Sequence, residues 1–299
     1  MKKKIGFIGL GAMGKPMAKN LLKAGFDLTI HDLNLQAVEE IASLGARKAS
    51  SPAETASGVE VIITILPADE EVKTVVLGPK GIIEGGKAGT ILIDMTSLAP
   101  HTSKYVAVEV SKRGLKFLDA PVSGGTIGAE NATLTIMVGG DKALLEEHKD
   151  VLLAMGKNIY HVGDVGMGET IKMVNQMLVG NNIMAIAEAF VMGTKLGLDP
   201  EVIYQIIRVS SGNSVIFDQR VPNYILKGDF TQPGFALDLL RKDIGLAVES
   251  AKINKVPLFL TSQTFQLLTK ASAEGLGKKD MSSVIEMFEK SVGITVRKK

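Results

Sequence analysis

The apolar positions of this chain follow two different periods. Up to about residue 162, short apolar runs alternate with longer stretches of mixed polarity: Lys4–Ile8, Asp27–His31, Val61–Leu66, Thr90–Asp94, Phe117–Pro121, Leu134–Val138 and Asn158–Val162. Val61-Ile62-Ile63-Thr64-Ile65-Leu66 is almost wholly apolar, as a parallel strand covered on both faces is. Helices are predicted between the runs, among them Pro100–Lys112 and Lys142–Met155. From Met167 onward apolar residues recur at helical spacing and no run reads as a strand. The helices predicted there are Met167–Leu196, Pro200–Ser210, Asn213–Lys227, Leu237–Asn254, Pro257–Glu274 and Ser282–Lys290, with Asp199-Pro200 opening the second. The pattern divides the chain into an α/β domain over 1–162 and an all-helical domain over 163–299.

The first strand feeds directly into Gly9-Leu10-Gly11-Ala12-Met13-Gly14, followed by a helix carrying Met17, Ala18, Leu21 and Leu22. This is G-x-G-x-x-G in the strand–turn–helix context that gives it meaning: Gly9 makes the turn, Gly11 admits a pyrophosphate to the backbone, and Gly14 lets the helix pack on the strand. The helix N-terminus faces the phosphates. A second strand ends in Asp32, about 20 residues on, where a carboxylate takes the adenosine ribose hydroxyls. Asp32 also repels a 2′-phosphate, and Leu33-Asn34-Leu35-Gln36 supplies no arginine to neutralise one, so NAD is expected over NADP. The other reading of Asp32 is a helix cap. The first domain is therefore expected to be a Rossmann-like dinucleotide-binding unit. Leu66 and Pro67 lie at a strand's carboxyl end, where ligands of open α/β sheets sit. Thr96 is expected to offer the cofactor a hydroxyl, with ordinary helix capping as the alternative for Thr96 and Ser97.

After the strand ending at Pro121, Ser123, Gly124 and Gly125 offer a hydroxyl and exposed backbone N–H groups, which suits a small carboxylate. A simple hairpin turn is the other reading. The second domain opens with Gly163, Gly166 and Gly168 and runs into the longest helical pattern, on which Lys172 and Asn175 stand one turn apart. Buried among apolar neighbours they need polar partners; otherwise they form a solvated helix edge. The loop Ser210–Ser214 and Phe235 are expected to close over the substrate, with Phe235 also at the cofactor; the other reading of the loop is a helix–helix connection, and Lys242-Asp243 is either functional or an exposed helix pair.

Composition removes other classes. The 299 residues carry a net charge of +2 with no basic stripe, so no nucleic-acid partner is expected. No cysteine is present, which removes disulfides, thiol nucleophiles and thiolate-bound zinc. His31, His101, His148 and His161 form no triad or metal spacing, and no metal is expected. Met1–Leu10 lacks the apolar region of a signal peptide and no apolar run approaches membrane-spanning length, so a cytoplasmic protein without a membrane partner is expected.

The glycine fingerprint with Met13, the block Asp119–Gly125, the block Gly163–Asn175 and Lys242-Asp243 with Gly245-Leu246-Ala247 together resemble the β-hydroxyacid dehydrogenases, which include 3-hydroxyisobutyrate dehydrogenase and tartronate semialdehyde (2-hydroxy-3-oxopropionate) reductase. The resemblance spans essentially the whole chain. It implies an NAD(P)-dependent oxidoreductase with Lys172 as catalytic lysine, Ser123, Gly124, Gly125 and Asn175 on the substrate, and Lys242 beside the nicotinamide. Relatives often carry two asparagines where this chain has Asn175-Gln176. Lys172 would protonate the nascent alkoxide in reduction; in oxidation it must be neutral, which desolvation or the nearby cation Lys242 favours. The family also implies a homodimer or homotetramer. The expected reaction is reduction of tartronate semialdehyde to glycerate. The alternatives are 3-hydroxyisobutyrate or 2-(hydroxymethyl)glutarate dehydrogenase and, in another class, a non-catalytic dinucleotide-binding sensor or scaffold. A dicarboxylate would require a second cation, for which Arg208, Arg220 and Arg241 are candidates.

Overall fold

The computed structural model describes residues 3–298. Met1, Lys2 and Lys299, which fall within the expected end segments, lie outside the described residues. The chain forms two compact units, Met1–Lys172 and Met173–Lys299. The division falls inside the long helix Met167–Lys195 rather than at the expected boundary of 162 and 163, because the first turns of that helix are hydrogen-bonded into the first unit.

The first unit is a nine-stranded sheet: β1 (Lys4–Ile8), β2 (Asp27–His31), β3 (Arg47–Lys48), β4 (Val61–Thr64), β5 (Ile91–Asp94), β6 (Lys116–Asp119), β7 (Val122–Ser123), β8 (Leu134–Gly139) and β9 (Gly156–Gly163). The order is β3-β2-β1-β4-β5-β6-β8-β7, with β9 paired to β8. The strands from β3 to β6 are parallel and have the 3-2-1-4-5-6 order of a Rossmann sheet. The order reverses between β1 and β4, so the crevice outside their carboxyl ends receives the glycine loop. Side chains alternate across a strand. Accordingly Val61, Ile63, Ile91 and Ile93 enter one core while Ile62 and Leu92 enter the other. Both faces are covered, which explains the unbroken apolar runs.

Two local expectations change. The helix predicted over Lys142–Met155 is two helices, Lys142–Glu147 and Lys149–Leu153, broken at His148, whose buried ring is held below its ordinary pKa by desolvation. Ser123-Gly124-Gly125 is no hairpin turn: Gly124, at φ +134°, precedes a short helix, Gly125–Glu130.

The second unit is helical among the described residues, with one isolated bridge between Ala236 and Asp280. Asp199 caps Pro200–Ile207 as its position suggests, while the helix starting at Val215 widens into a π-helical turn, Val221–Ile225. The long helix corrects an expectation. Met167–Lys195 is, by length and composition, apolar enough to cross a membrane. Its polar residues, Lys172, Asn175, Gln176, Asn181 and Asn182, break the run to the eye without lowering its mean hydropathy below that of a span. Ile183, Ala187 and Phe190 on it are fully buried in the core of the second unit, while Leu178 and Met192 are exposed. A Cβ at Gly180 would lie 2.7 Å from Ile244, so this glycine sets how closely the helices approach.

The buried carboxylate of Asp280 organises the loop that carries Phe235. It accepts from Arg220 Nη1 (2.9 Å), Gly234 N (3.0 Å), Phe235 N (3.2 Å) and the Ser282 hydroxyl (2.6 Å). Removing one partner of a buried ion pair leaves the other charge uncompensated. Asp280→Ala should therefore lower unfolding stability by about 3–5 kcal/mol. Denaturant titration checks this, and a loss under about 1 kcal/mol would show the pair to be marginal.

Candidate active site

The three fingerprint glycines divide by cause. A Cβ at Gly9, where φ is +102°, would lie 2.1 Å from the Ile65 carbonyl oxygen, and one at Gly14 would lie 1.8 Å from the Gly9 carbonyl oxygen. Both positions are closed by the chain's own packing. At Gly11 a Cβ would meet nothing within 4 Å. Gly11 and Ala12 are exposed at the mouth of the first helix, Gly14–Lys23, leaving room for a pyrophosphate against the backbone. The residues present therefore fit a dinucleotide.

Asp32 anchors this loop. Its carboxylate accepts from Leu10 N (2.5 Å) and Asn34 N (2.6 Å) at the end of β2. It does not cap the following helix: Asn34 does, accepting from Gln36 N and Ala37 N. Asp32 is half-buried and retains lone pairs for hydroxyl donors. Leu66 and Pro67 follow β4, and Leu66 N donates to the Thr96 hydroxyl at 2.9 Å. Thr96 is buried and its side chain also bonds Asp94, so it does not present the free hydroxyl expected of it. It enters the site as the support of the Leu66–Pro67 loop.

Lys172 is 7% exposed and donates from Nζ to the Val122 carbonyl oxygen at 2.8 Å. The solvated-edge reading is excluded for it. The contact sets its ammonium beside the segment Ser123-Gly124-Gly125, of which Ser123 and Gly125 are half-buried and Gly124 is exposed. Asn175 lies one turn along the same helix and donates to Gln176 Oε1 (3.1 Å). Gln176 in turn donates to Asp243 Oδ2 (2.7 Å), and Lys242 pairs with Asp243 Oδ1 (3.1 Å). Within the second unit, then, Asn175, Gln176, Lys242 and Asp243 form one network, and Lys242-Asp243 is more than an exposed pair. Phe235 is half-buried against the helical core. The expected closing loop Ser210–Ser214 contains the cap of the helix Val215–Arg220, in which Ser214 accepts from Phe217 N.

Residues 4–163 match the family model described as the NAD binding domain of 6-phosphogluconate dehydrogenase. Residues 166–288 match the model described as NAD-binding of NADP-dependent 3-hydroxyisobutyrate dehydrogenase. The chain is 45% identical over 293 residues to 2-(hydroxymethyl)glutarate dehydrogenase of Eubacterium barkeri, covering 98% of this chain and 97% of that one. The chain belongs to the β-hydroxyacid dehydrogenase family. It is 39% identical over 292 residues to the mitochondrial 3-hydroxyisobutyrate dehydrogenase of Homo sapiens, covering 96% of this chain and 87% of that one. A solved 3-hydroxyisobutyrate dehydrogenase of Salmonella typhimurium superposes with a TM-score of 0.88 at 33% identity, covering 96% and 100% of the two chains. As a β-hydroxyacid dehydrogenase this protein is an NAD(P)-dependent oxidoreductase acting on a CH–OH group.

Two residues of this β-hydroxyacid dehydrogenase carry roles that the sequence does not assign them, Asp94 and Asp119, although Asp119 opens the block Asp119–Gly125. Each ends an apolar strand run, and a carboxylate closing a buried strand is the signal that marks them. Asp94 Oδ1 accepts from the Thr64 hydroxyl (2.9 Å) and Thr96 N (3.1 Å). Burial pushes its carboxyl up to about 6, opposed by the Thr96 and Thr64 bonds and reinforced by the charge of Asp119. A carboxyl that titrates higher when folded favours the folded form when protonated. Its contribution is complete below about pH 4 and is lost as the pH rises through about 6. Asp94→Asn keeps the acceptor and cannot ionise. Its stability relative to wild type should rise between pH 4 and 7 by an amount on the order of 3 kcal/mol. A difference flat with pH in denaturant titrations would mean that Asp94 titrates normally.

Proposed function

We propose that the chain interconverts a small 3-hydroxyacid and its semialdehyde, with NAD preferred and Lys172 moving the proton. The observation that carries the reading is the buried Lys172 ammonium, held 2.8 Å from the Val122 carbonyl at the edge of Ser123-Gly124-Gly125. A nicotinamide dinucleotide on the glycine loop supplies the hydride chemistry. In the reducing direction the Lys172 ammonium stabilises the charge gathering on the carbonyl oxygen and gives that oxygen its proton. In the oxidising direction the neutral amine takes the hydroxyl proton. The backbone N–H groups at Gly124 and Gly125 and the Ser123 hydroxyl hold the carboxylate, and Asn175 aligns the substrate oxygen. Asp32 takes the ribose hydroxyls and disfavours a 2′-phosphate.

Among acids, tartronate semialdehyde giving glycerate is the first substrate proposed. Charge supports a single carboxylate. Arg220 is committed to Asp280 (2.9 Å), Arg241 to Asp238 (3.1 Å), and Arg208 lies over the Tyr204 ring. A second reading, 2-(hydroxymethyl)glutarate, is supported by the 45% identity to its dehydrogenase. A homodimer or homotetramer is proposed because Leu178 and Met192 on the long helix are both 61% exposed.

Initial rates with NADH and NADPH across tartronate, methylmalonate and succinate semialdehydes, and in reverse with 2-(hydroxymethyl)glutarate, rank these substrates. NADH binding without turnover on any of them would restore the sensor reading. Lys172→Ala should lower turnover by about 10²-fold or more with NADH affinity little changed, and near-normal turnover would remove the lysine from the mechanism. Asp32→Ala should weaken NAD far more than NADP in binding titrations; equal weakening would reduce Asp32 to a loop anchor.

A further inference from the structure

We propose that Asp119 is the positioning residue for Lys172, fixing the first turn of the helix that carries the lysine to the end of β6, three residues before the lysine's acceptor Val122. The proposal rests on the reading of Lys172 as the proton-transfer group. Asp119 ends β6 and is fully buried. Its Oδ1 accepts from Gly166 N at 2.7 Å and its Oδ2 from Glu169 N at 3.0 Å. Those N–H groups stand at the start of Met167–Lys195, where a helix has no internal acceptors of its own. The carboxylate thus caps the helix from another element and meets the positive end of its dipole.

The surroundings are shaped to this carboxylate. A Cβ at Gly139, on β8, would lie 2.5 Å from Asp119 Oδ1. A Cβ at Gly168 would lie 2.7 Å from Oδ2 and 2.4 Å from the Met137 carbonyl oxygen. Strand and helix each leave out a side chain where the carboxylate sits. A further tie comes from Glu169, whose Oε2 accepts from Leu98 N at 3.0 Å.

From Asp119 two short paths lead to the lysine contact. Through the connection Ala120-Pro121, three residues bring the chain from β6 to Val122 on β7, whose carbonyl accepts from Lys172. Along the helix, three residues from Glu169 bring it to Lys172, an axial rise of about 4.5 Å. Asp119 closes the ring at the other end. With the carboxylate in place, donor and acceptor are fixed to the same residue; without it, the first helical turn loses this tie and can shift against the Ser123-Gly124-Gly125 segment. A misplacement of about 1 Å costs on the order of 10²-fold in rate.

The test is a double-mutant cycle on the full chain with Asp119→Asn, Lys172→Ala and the double variant, following kcat, NADH affinity and the solvent deuterium isotope effect. The asparagine keeps the shape and one acceptor but turns an NH₂ group toward one of the two N–H donors. Asp119→Asn should lower kcat by about 10²-fold, hold the NADH dissociation constant within about twofold and raise the solvent isotope effect, because proton delivery becomes slower. In the Lys172→Ala background the same change should cost almost nothing, since the group it positions is gone. Additive losses would overturn the proposal, as would an Asp119→Asn enzyme with normal kcat. Should Asp119→Asn fail to fold, Gly168→Ala displaces the helical turn from the intact carboxylate and must give the same non-additive pattern. Lys172→Ala alone, if still active, refutes the role of the lysine independently of Asp119.

Discussion

Asp94 and Asp119 end neighbouring parallel strands in register and are both fully buried, so each must be met by donors or remain protonated. The two solve the same problem differently. Asp94 draws on the hydroxyls of Thr64 and Thr96 and, through Thr96, holds the loop that begins at Leu66. Asp119 draws on backbone N–H groups at the start of the long helix. Desolvation raises both carboxyls above the ordinary range. The cost of burying charge at the carboxyl edge of the sheet is thus offset by tying down the segments that surround the site.

This division of labour explains what could be read in advance. The glycine fingerprint, Asp32 and the strand–helix alternation were legible because each depends on neighbours in sequence: a turn, a strand end, a period. Lys172 and Asn175 were legible as a pair because a helix fixes their spacing. The roles of Asp94 and Asp119 were not, since partners that define them, Thr64 for the one and Gly166 and Glu169 for the other, lie far away in the chain. For the same reason Thr96 looked like a ligand contact: its commitment to Leu66 lies 30 residues off. The break at His148 and the apolar strength of the long helix were obscured by polar residues that packing accommodates.

The fingerprint glycines show how a structural requirement separates from one set by a ligand. Gly9 and Gly14 are excluded from bearing a side chain by carbonyl oxygens of the protein itself. Gly11 meets no such atom. An alanine there would meet no atom of the chain, so the protein's own packing does not account for this glycine, and the space it leaves fits a pyrophosphate against the backbone. That contrast is stronger evidence for the cofactor than the spacing of the motif alone, because the spacing by itself fits many tight turns.

A similar contrast bears on the second unit. Gln176 stands where relatives often carry a second asparagine, and its extra methylene places its amide 2.7 Å from Asp243. Asp243 is thereby shared between Gln176 and Lys242, while Asn175 donates back to Gln176. A shared acceptor lowers the freedom of both neighbours: Lys242 keeps a compensating charge beside it, and the Asn175 side chain is oriented through its contact with Gln176. The cationic character available from this cluster is therefore partly neutralised inside the unit, as it is at Arg220 and Arg241.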